Sequence, residues 1–577
     1  MKNSLKPVNF LLVIVLLCIL GLTALSEETA PTVFVHANVI SMESDRVAQH
    51  QTVIISEGKI AAVGADGSLT IPEHSRVIDA QGKYMIPGLT DMHVHVYEPE
   101  DLYVWLAHGV TTVLNLNGFP QHLAWRKKLA GGSMDGPTLY TSGPTIYQAG
   151  TAREGDSLVE AYHAAGYDCI KIYNDVTSDA YDGIIAAAKR HDMLTVGHIP
   201  RAPEFETVLK SGMAIAHAEE FIYTIFKDTA DYARIPEVVR RAKEANLTII
   251  ATLTAYEHIA RQVENLDSML AQPDIRLAPP WIRETWTAES NRYSAKRGFK
   301  IWRLEQRLAF QRKFIEELHR AGVRILAGTD GIFNAMVTGS ATLKEVENFV
   351  VAGFTPYEAL RAATVDAAAF LRASGEWGTI TAGKRADLVL CDANPLLNIH
   401  AIEHRSGVMA RGTWYPQDEL RSRLDELPGR YEKERTKFAW NVEHDLPEAV
   451  RYLNESDPSN LLLDSAILGR VHAGKYQDLV GLLRSIHNID PATWAVREQM
   501  INDLGYRIMA QKDRTKGAIE VFKLNTQLYP KSPNTYDSLA EACMNDGDNE
   551  SARKYYLRAL ELDPGWVNAK NMLKKLK

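Results

Sequence analysis

Gly88-Leu89-Thr90-Asp91-Met92-His93-Val94-His95 closes an apolar run that begins at Tyr84. Successive side chains of a β-strand point to opposite faces, so His93 and His95, two apart, project from the same face. Two imidazoles side by side begin a metal site. Taken alone, such a pair is more often a surface feature than a ligand pair, and the missing ligands have to come from elsewhere in the chain.

Seven further strand-like segments follow it, at 110–116, 138–142, 169–173, 194–198, 214–217, 247–252 and 323–328. Helical patterns such as 180–191 and 204–211 fill most of the gaps. Eight strands alternating with helices over about 85–371 predict a (β/α)8 TIM-like barrel, whose usual length is roughly 250 residues. A doubly wound parallel sheet is the structural alternative. In a barrel, chemistry sits where the strands end. Strand one ends with His93 and His95, strand four carries Lys171, and strands five and six end at His198 and His217. Strand eight runs into Thr329-Asp330-Gly331. Each has an ordinary reading as a surface histidine, an edge lysine or a turn; together at one end of one barrel they point to a metal centre.

Short β-rich pieces broken by Gly58, Gly64 and Gly67 occupy 32–77, and a second such patch lies at 378–391. The two patches predict one β-sandwich domain, 32–84 and 375–416, split by insertion of the barrel, 85–374.

These residues carry a resemblance. Over about 33–414 the chain resembles the metal-dependent amidohydrolase superfamily, and within it the imidazolonepropionase-like group that includes dipeptidases cleaving before proline. The split sheet domain, the Pro-Gly-Leu-Thr-Asp-Met-His-Val-His stretch, the Ile-Lys-Ile-Tyr strand, the single histidines on strands five and six and the aspartate after strand eight carry it. The resemblance implies that carbon dioxide converts Lys171 to a carbamate bridging two divalent metal ions. His93, His95 and Asp330 would hold one ion, and His198 and His217 the other. Imidazole and oxygen ligands suit zinc best, with manganese, iron or cobalt as alternatives. The implied activity is hydrolysis of a C–N bond in a small amide, dipeptide-like or cyclic amide substrate. Asp330 would act as general base and then general acid. Rival readings are a lactone or ester hydrolase, a deaminase, and a repeat-containing adaptor with an inactive barrel.

Two features leave specificity open. Ile199-Pro200 follows His198, and Ala218-Glu219-Glu220 follows His217, where small residues are commoner in the relatives. The long stretch 256–300 holds Trp281, Arg283, Trp286 and Arg292: either a lid whose arginine binds a substrate carboxylate, or an inserted helix pair packed for stability. Tyr173 and Tyr256 are candidate wall residues.

The 577 residues, 46% hydrophobic and 24% charged, fit a globular multi-domain chain. A net charge of -8 without a dense basic run argues against nucleic acid as a partner. Cys18, Cys169, Cys391 and Cys543 are too few and scattered for a disulfide framework. Lys2 and Lys6 precede an apolar run over 10–22, short for a span of roughly 20 residues and suited to a signal-peptide core. Residues 1–26 are thus expected to export the chain to the periplasm or beyond, cleaved after Ala24-Leu25-Ser26 or retained as a membrane anchor.

Leu420, Leu424 and Leu427 keep helical spacing through a charged connector, 417–445. Beyond it, Ala518, Phe522 and Pro530 recur 34 residues later as Ala552, Tyr556 and Pro564, a period that resembles tetratricopeptide repeats. The region 446–577 is expected to be all-helical. It would serve either as a stabilising cap or self-association surface, or as a groove for a protein partner.

Overall fold

The computed structural model describes residues 30–576 apart from 288–292, 294–297, 332–334, 456–462, 464–466, 468–469, 472, 494–495 and 512. The expected export segment 1–26 with Cys18, and Arg292, lie outside the described residues. Among these, no helix is long and apolar enough to cross a membrane. Cys169, Cys391 and Cys543 are buried free thiols.

In chain order the first strands are β1 (Thr32–Val39), β2 (Ala48–Ser56), β3 (Lys59–Ala65), β4 (Arg76–Asp79) and β5 (Tyr84–Pro87). Next come β6 (Leu89–Val94), β7 (Val110–Asn115), β8 (Thr138–Thr141), β9 (Ile146–Ala149), β10 (Cys169–Val176), β11 (Leu194–Gly197), β12 (Ala214–Ala216), β13 (Thr248–Ile250) and β14 (Arg324–Leu326). The last are β15 (Leu388–Cys391), β16 (Arg405–Ala410) and β17 (Thr413–Pro416).

One sheet joins both ends of this order, running β17-β16-β15-β5-β1-β2-β3 with β4 beside β1. The seam is β5, parallel to β1 on one side and antiparallel to β15 on the other, with Met85 opposite Leu390. Phe34 meets Trp414 edge-on at 4.9 Å in its core. Of the second patch only 388–391 is strand. The sheet is completed by β16 and β17, whose short, Gly-interrupted pattern hid them. Gly88 hands the chain from β5 to β6, and a Cβ there would lie 2.1 Å from Thr111 Oγ1, so no larger residue fits.

The remaining strands form two parallel sheets, β6-β7-β8 and β9-β10-β11-β12-β13-β14. A parallel bridge from Ser142 to Cys169 ties β8 to β10. At the other edge Met92 N–H donates to Ala327 O at 2.8 Å and Asp330 N–H to His93 O at 2.8 Å. Residues of β6 and β7 are buried throughout, as parallel strands covered on both faces require. Alternation sorts the two faces: Ile170, Ile172, Ile215 and Ile249 pack against the helices, while Cys169, Ala214 and Ala216 join Met92, Leu114 and Leu326 in a separate cluster. Helices such as Ser178–Arg190 bury Ala180, Ile184, Ala187 and Ala188 at helical spacing, and Thr177 caps its first turn through Ala180 N–H. The strand β9, absent from the sequence expectation, pairs with the far end of β10, whose eight residues outrun β11.

A 28-residue helix, Gln417–His444, follows β17, burying Leu420 and Leu427. Beyond it the described chain is helical to Lys575. Ala518 and Phe522 on helix Thr515–Leu528, and Ala552 and Tyr556 on helix Asn549–Leu562, are all fully buried.

Candidate active site

The histidine pair, the lysine, the two single histidines and the aspartate all line one cavity of about 480 Å³, beyond the C-terminal ends of the parallel strands. Both His93 Nε2 and His95 Nε2 reach Asp330 Oδ1, at 3.2 and 2.9 Å. Lys171 Nζ stands 3.3 Å from His93 Nε2. The His217 ring is 4.6 Å from that of His93 and 4.7 Å from that of His198. The tightest grouping combines His93, His217 and Asp330, whose ligand atoms all lie within 4.8 Å of one another. Two residues of one expected ligand set, His93 and Asp330, and one of the other, His217, are therefore brought together.

Three backbone positions at this end adopt a left-handed conformation that costs a non-glycine residue energy: His217 (φ 71°), Thr252 (φ 51°) and Asp330 (φ 56°). Two of them meet, since His217 Nδ1 lies 2.9 Å from Thr252 Oγ1. His198 Nδ1–H donates to Glu220 Oε1 at 2.9 Å, and Glu220 Oε2 accepts from Asn174 Nδ2 at 3.0 Å. With Nδ1 engaged, Nε2 of each histidine is left for the cavity, the arrangement in which outer partners fix metal-binding imidazoles. Asp91, fully buried on β6, accepts from His93 N–H, Thr329 N–H, Thr329 Oγ1 and Thr342 Oγ1 at 2.7–3.2 Å, fixing the β6 and β14 ends together. Glu220, Thr252 and Asp91 were not singled out as ligand supports by the sequence. Glu220 stood out only as a departure after His217, and nothing local marks the other two.

Burial decides the charge states. It lowers His93 to about 3, with the Lys171 charge adding to it, and lowers His198 and drives His217 well down, so these three imidazoles are neutral at physiological pH. Burial likewise lowers Lys171 to about 8, against the pull of Asp330 and Glu220. For Asp330 burial acts upward, but the His93 and His95 imidazoles outweigh it and hold the carboxyl well below the usual range. Neutral imidazoles, one ionised carboxylate and an amine that loses its proton readily make a donor set suited to a divalent cation.

Aromatic side chains build the walls: Tyr97, Tyr147, Tyr173, Tyr256, Tyr293 and Phe299. Tyr173 packs on the His198 ring at 4.1 Å and on Tyr147 at 5.1 Å. In the long stretch after β13, Trp281 and Trp286 are buried in the packing core, and neither they nor Arg283 lines the cavity. Among the described residues the arginines that do are Arg201 and Arg307.

Residues 170–415 match the amidohydrolase family model, a span that includes Lys171, His198, His217 and Asp330 and begins after His93 and His95. An imidazolonepropionase of Geobacillus sp. (strain WCH70) is 26% identical over 432 residues, 68% of this chain and 94% of that protein. An adenine deaminase of Ruegeria sp. (strain TM1040) is 33% identical over 96 residues, so that the match spans only 16% of that relative's length. A crystal structure of a Xaa-Pro dipeptidase with bound methionine superposes with a TM-score of 0.54 at 20% identity, covering 67% of this chain and all of that one. Identity at that level speaks for a shared fold.

Proposed function

We infer that this chain, whose residues 170–415 carry the amidohydrolase family match, is a metal-dependent hydrolase that cleaves the C–N bond of an amide, peptide or cyclic amide. The observation that carries this reading is the convergence of His93, His95, Lys171, His198, His217 and Asp330 on one cavity. The two parallel sheets are interpreted as a single (β/α)8 barrel, closed where Ser142 meets Cys169 and where β6 meets β14. The site then lies at the end where barrels do their chemistry.

His93, His95 and Asp330 would hold one divalent ion, zinc by the chemistry of the ligands, and His198 and His217 a second. Bound there, such ions supply an acidified water and polarise a carbonyl oxygen. Lys171, uncharged once its proton is lost, attacks carbon dioxide through Nζ; an N–C bond forms, a proton leaves to solvent, and the product is an anion between the two ligand sets. Asp330, held ionised, accepts the proton of the attacking water and passes it to the leaving nitrogen. Glu220 keeps His198 turned with Nε2 toward the cavity, and Thr252 does the same for His217. The aromatic walls exclude water and cover the apolar parts of the substrate.

The test is a hydrolysis screen of the metal-loaded protein against dipeptides, hydantoin-like rings, lactones and aminopurines. Turnover of amide substrates supports the reading. Turnover confined to lactones or aminopurines would replace it with the esterase or deaminase alternative, and no turnover despite bound metal would favour the adaptor. We further propose that 1–26 exports the chain and that 446–577 is built of tetratricopeptide-like repeats serving self-association or a protein partner. Cell fractionation and light scattering test these.

A further inference from the structure

The segment between β13 and β14 belongs to two cores at once. Its first part, with Ile275, Leu277, Trp281, Ile282 and Trp286, is buried in one apolar cluster with Leu427, Tyr431 and Phe438 of helix Gln417–His444. Its later part supplies Tyr293 and Phe299, which pack edge to face at 5.5 Å, line the cavity and join Tyr256, Ile259 and Leu304.

Trp281 is the junction. Its indole N–H donates to Glu98 Oε1 at 3.0 Å, and both side chains are buried. Glu98 follows Tyr97, a cavity residue whose ring stacks on that of His95 at 6.4 Å. On its other side the Trp281 ring meets Tyr431 edge-on at 5.7 Å, and Tyr431 Oη–H donates to Leu277 O at 3.4 Å. Ion pairs fasten the same contact: Arg276 to Asp425 at 2.6 Å, Arg430 to Glu100 at 2.7 Å and Arg435 to Glu284 at 2.7 Å. All the loops gripped here follow the C-terminal ends of parallel strands, so the C-terminal region is seated on the catalytic face.

We propose that Trp281 is a positioning residue for the substrate pocket, coupling the docking of helix Gln417–His444 to the placement of Tyr97 on the cavity wall. The proposal rests on the hydrolase reading of that cavity. Trp281 acts on substrate binding rather than on bond cleavage, because its indole hydrogen bond and its ring contact go to Glu98 and Tyr431, outside the catalytic groups. Replacing it with phenylalanine keeps a ring but leaves Glu98 Oε1 buried without this donor, a penalty that the 97–98 and 281–286 backbones relieve by moving apart.

The test uses the full-length, metal-loaded protein carrying Trp281→Phe or, from the C-terminal side, Arg435→Gln. Hydrogen exchange is expected to quicken over 97–107 in both variants and to stay unchanged over 169–176. With a substrate found by the screen, Trp281→Phe should raise KM roughly tenfold, the cost of losing one buried hydrogen bond, and leave kcat close to the parent value. Unaltered exchange over 97–107 in both variants, or a fall in kcat at constant KM, overturns the proposal. If no substrate is found, the hydrolase reading fails while exchange still decides the role of Trp281. If Trp281→Phe does not fold, Arg435→Gln decides it.

Discussion

Glu220 stands three residues beyond His217, yet its carboxylate serves the histidine of the neighbouring strand, accepting from His198 Nδ1–H at 2.9 Å. Glu220→Gln keeps the shape but loses the anion that fixes the tautomer of His198. Metal affinity and kcat/KM should each fall about 10–100-fold. Metal content by mass spectrometry and steady-state kinetics check this; unchanged values for both would show that His198 needs no such partner.

Asp330→Asn removes the only carboxylate that touches both His93 and His95 among the described residues. Without a base at this position kcat should drop by about 10²–10⁴. Near-normal turnover with metal saturating would remove Asp330 from proton transfer.

Chelation should abolish activity, and zinc should restore it. Intact-mass analysis under native conditions should reveal one added carbon dioxide, lost in Lys171→Ala together with part of the bound metal. An unmodified lysine with one tight metal would instead indicate a mononuclear site.

Asp101 gives a pH signature of stability. Its buried carboxylate accepts from Tyr97 N–H at 3.2 Å and Glu98 N–H at 3.0 Å, and burial pushes it up to about 7. The folded state therefore holds its proton more tightly than the unfolded chain, where the value is about 3.9. Between those limits the contribution of Asp101 to stability shrinks as pH rises, by at most about 1.4 kcal/mol per pH unit. Urea unfolding at pH 5, 6 and 7 should reveal the parent losing stability relative to Asp101→Asn; parallel curves would refute the assignment.

In the C-terminal region Phe522 packs where Gly505 leaves room, a Cβ there falling 2.4 Å from the Phe522 ring. Phe522→Ala should cost about 3–5 kcal/mol locally and split thermal unfolding into two transitions. A single unshifted transition would mean that this helix pair is not a cooperative part of the fold.

Much of this was legible in the sequence wherever a local rule applied. Alternation put His93 and His95 on one face, and strand ends located Lys171, His198, His217 and Asp330. Helical spacing found the connector through Leu420, Leu424 and Leu427. What stayed hidden depends on partners far apart in the chain. Asp91 reads as one more strand residue until Thr329 and Thr342 arrive to be held, 238 and 251 residues later. Strand β9 exists because β10 overshoots its neighbour, a property of the pair rather than of the tetrapeptide. The inserted tryptophans suggested a lid or a packed pair; Trp281 and Trp286 pack, and the walls come from Tyr293 and Phe299 further on.

The cluster shared by Trp281, Trp286, Tyr431 and Phe438 bears on how this chain can be cut. A version ending after Pro416 would keep every residue of the site but lay Ile275, Leu277, Trp281, Ile282 and Trp286 bare beside the substrate mouth, an apolar patch of the kind that drives self-association. Insolubility of such a fragment would report a missing half of a core, not a defective catalyst. The helical tail is thus no detachable cassette, and any shuffling of this α/β unit onto other partners would have to bring a replacement for helix Gln417–His444 with it.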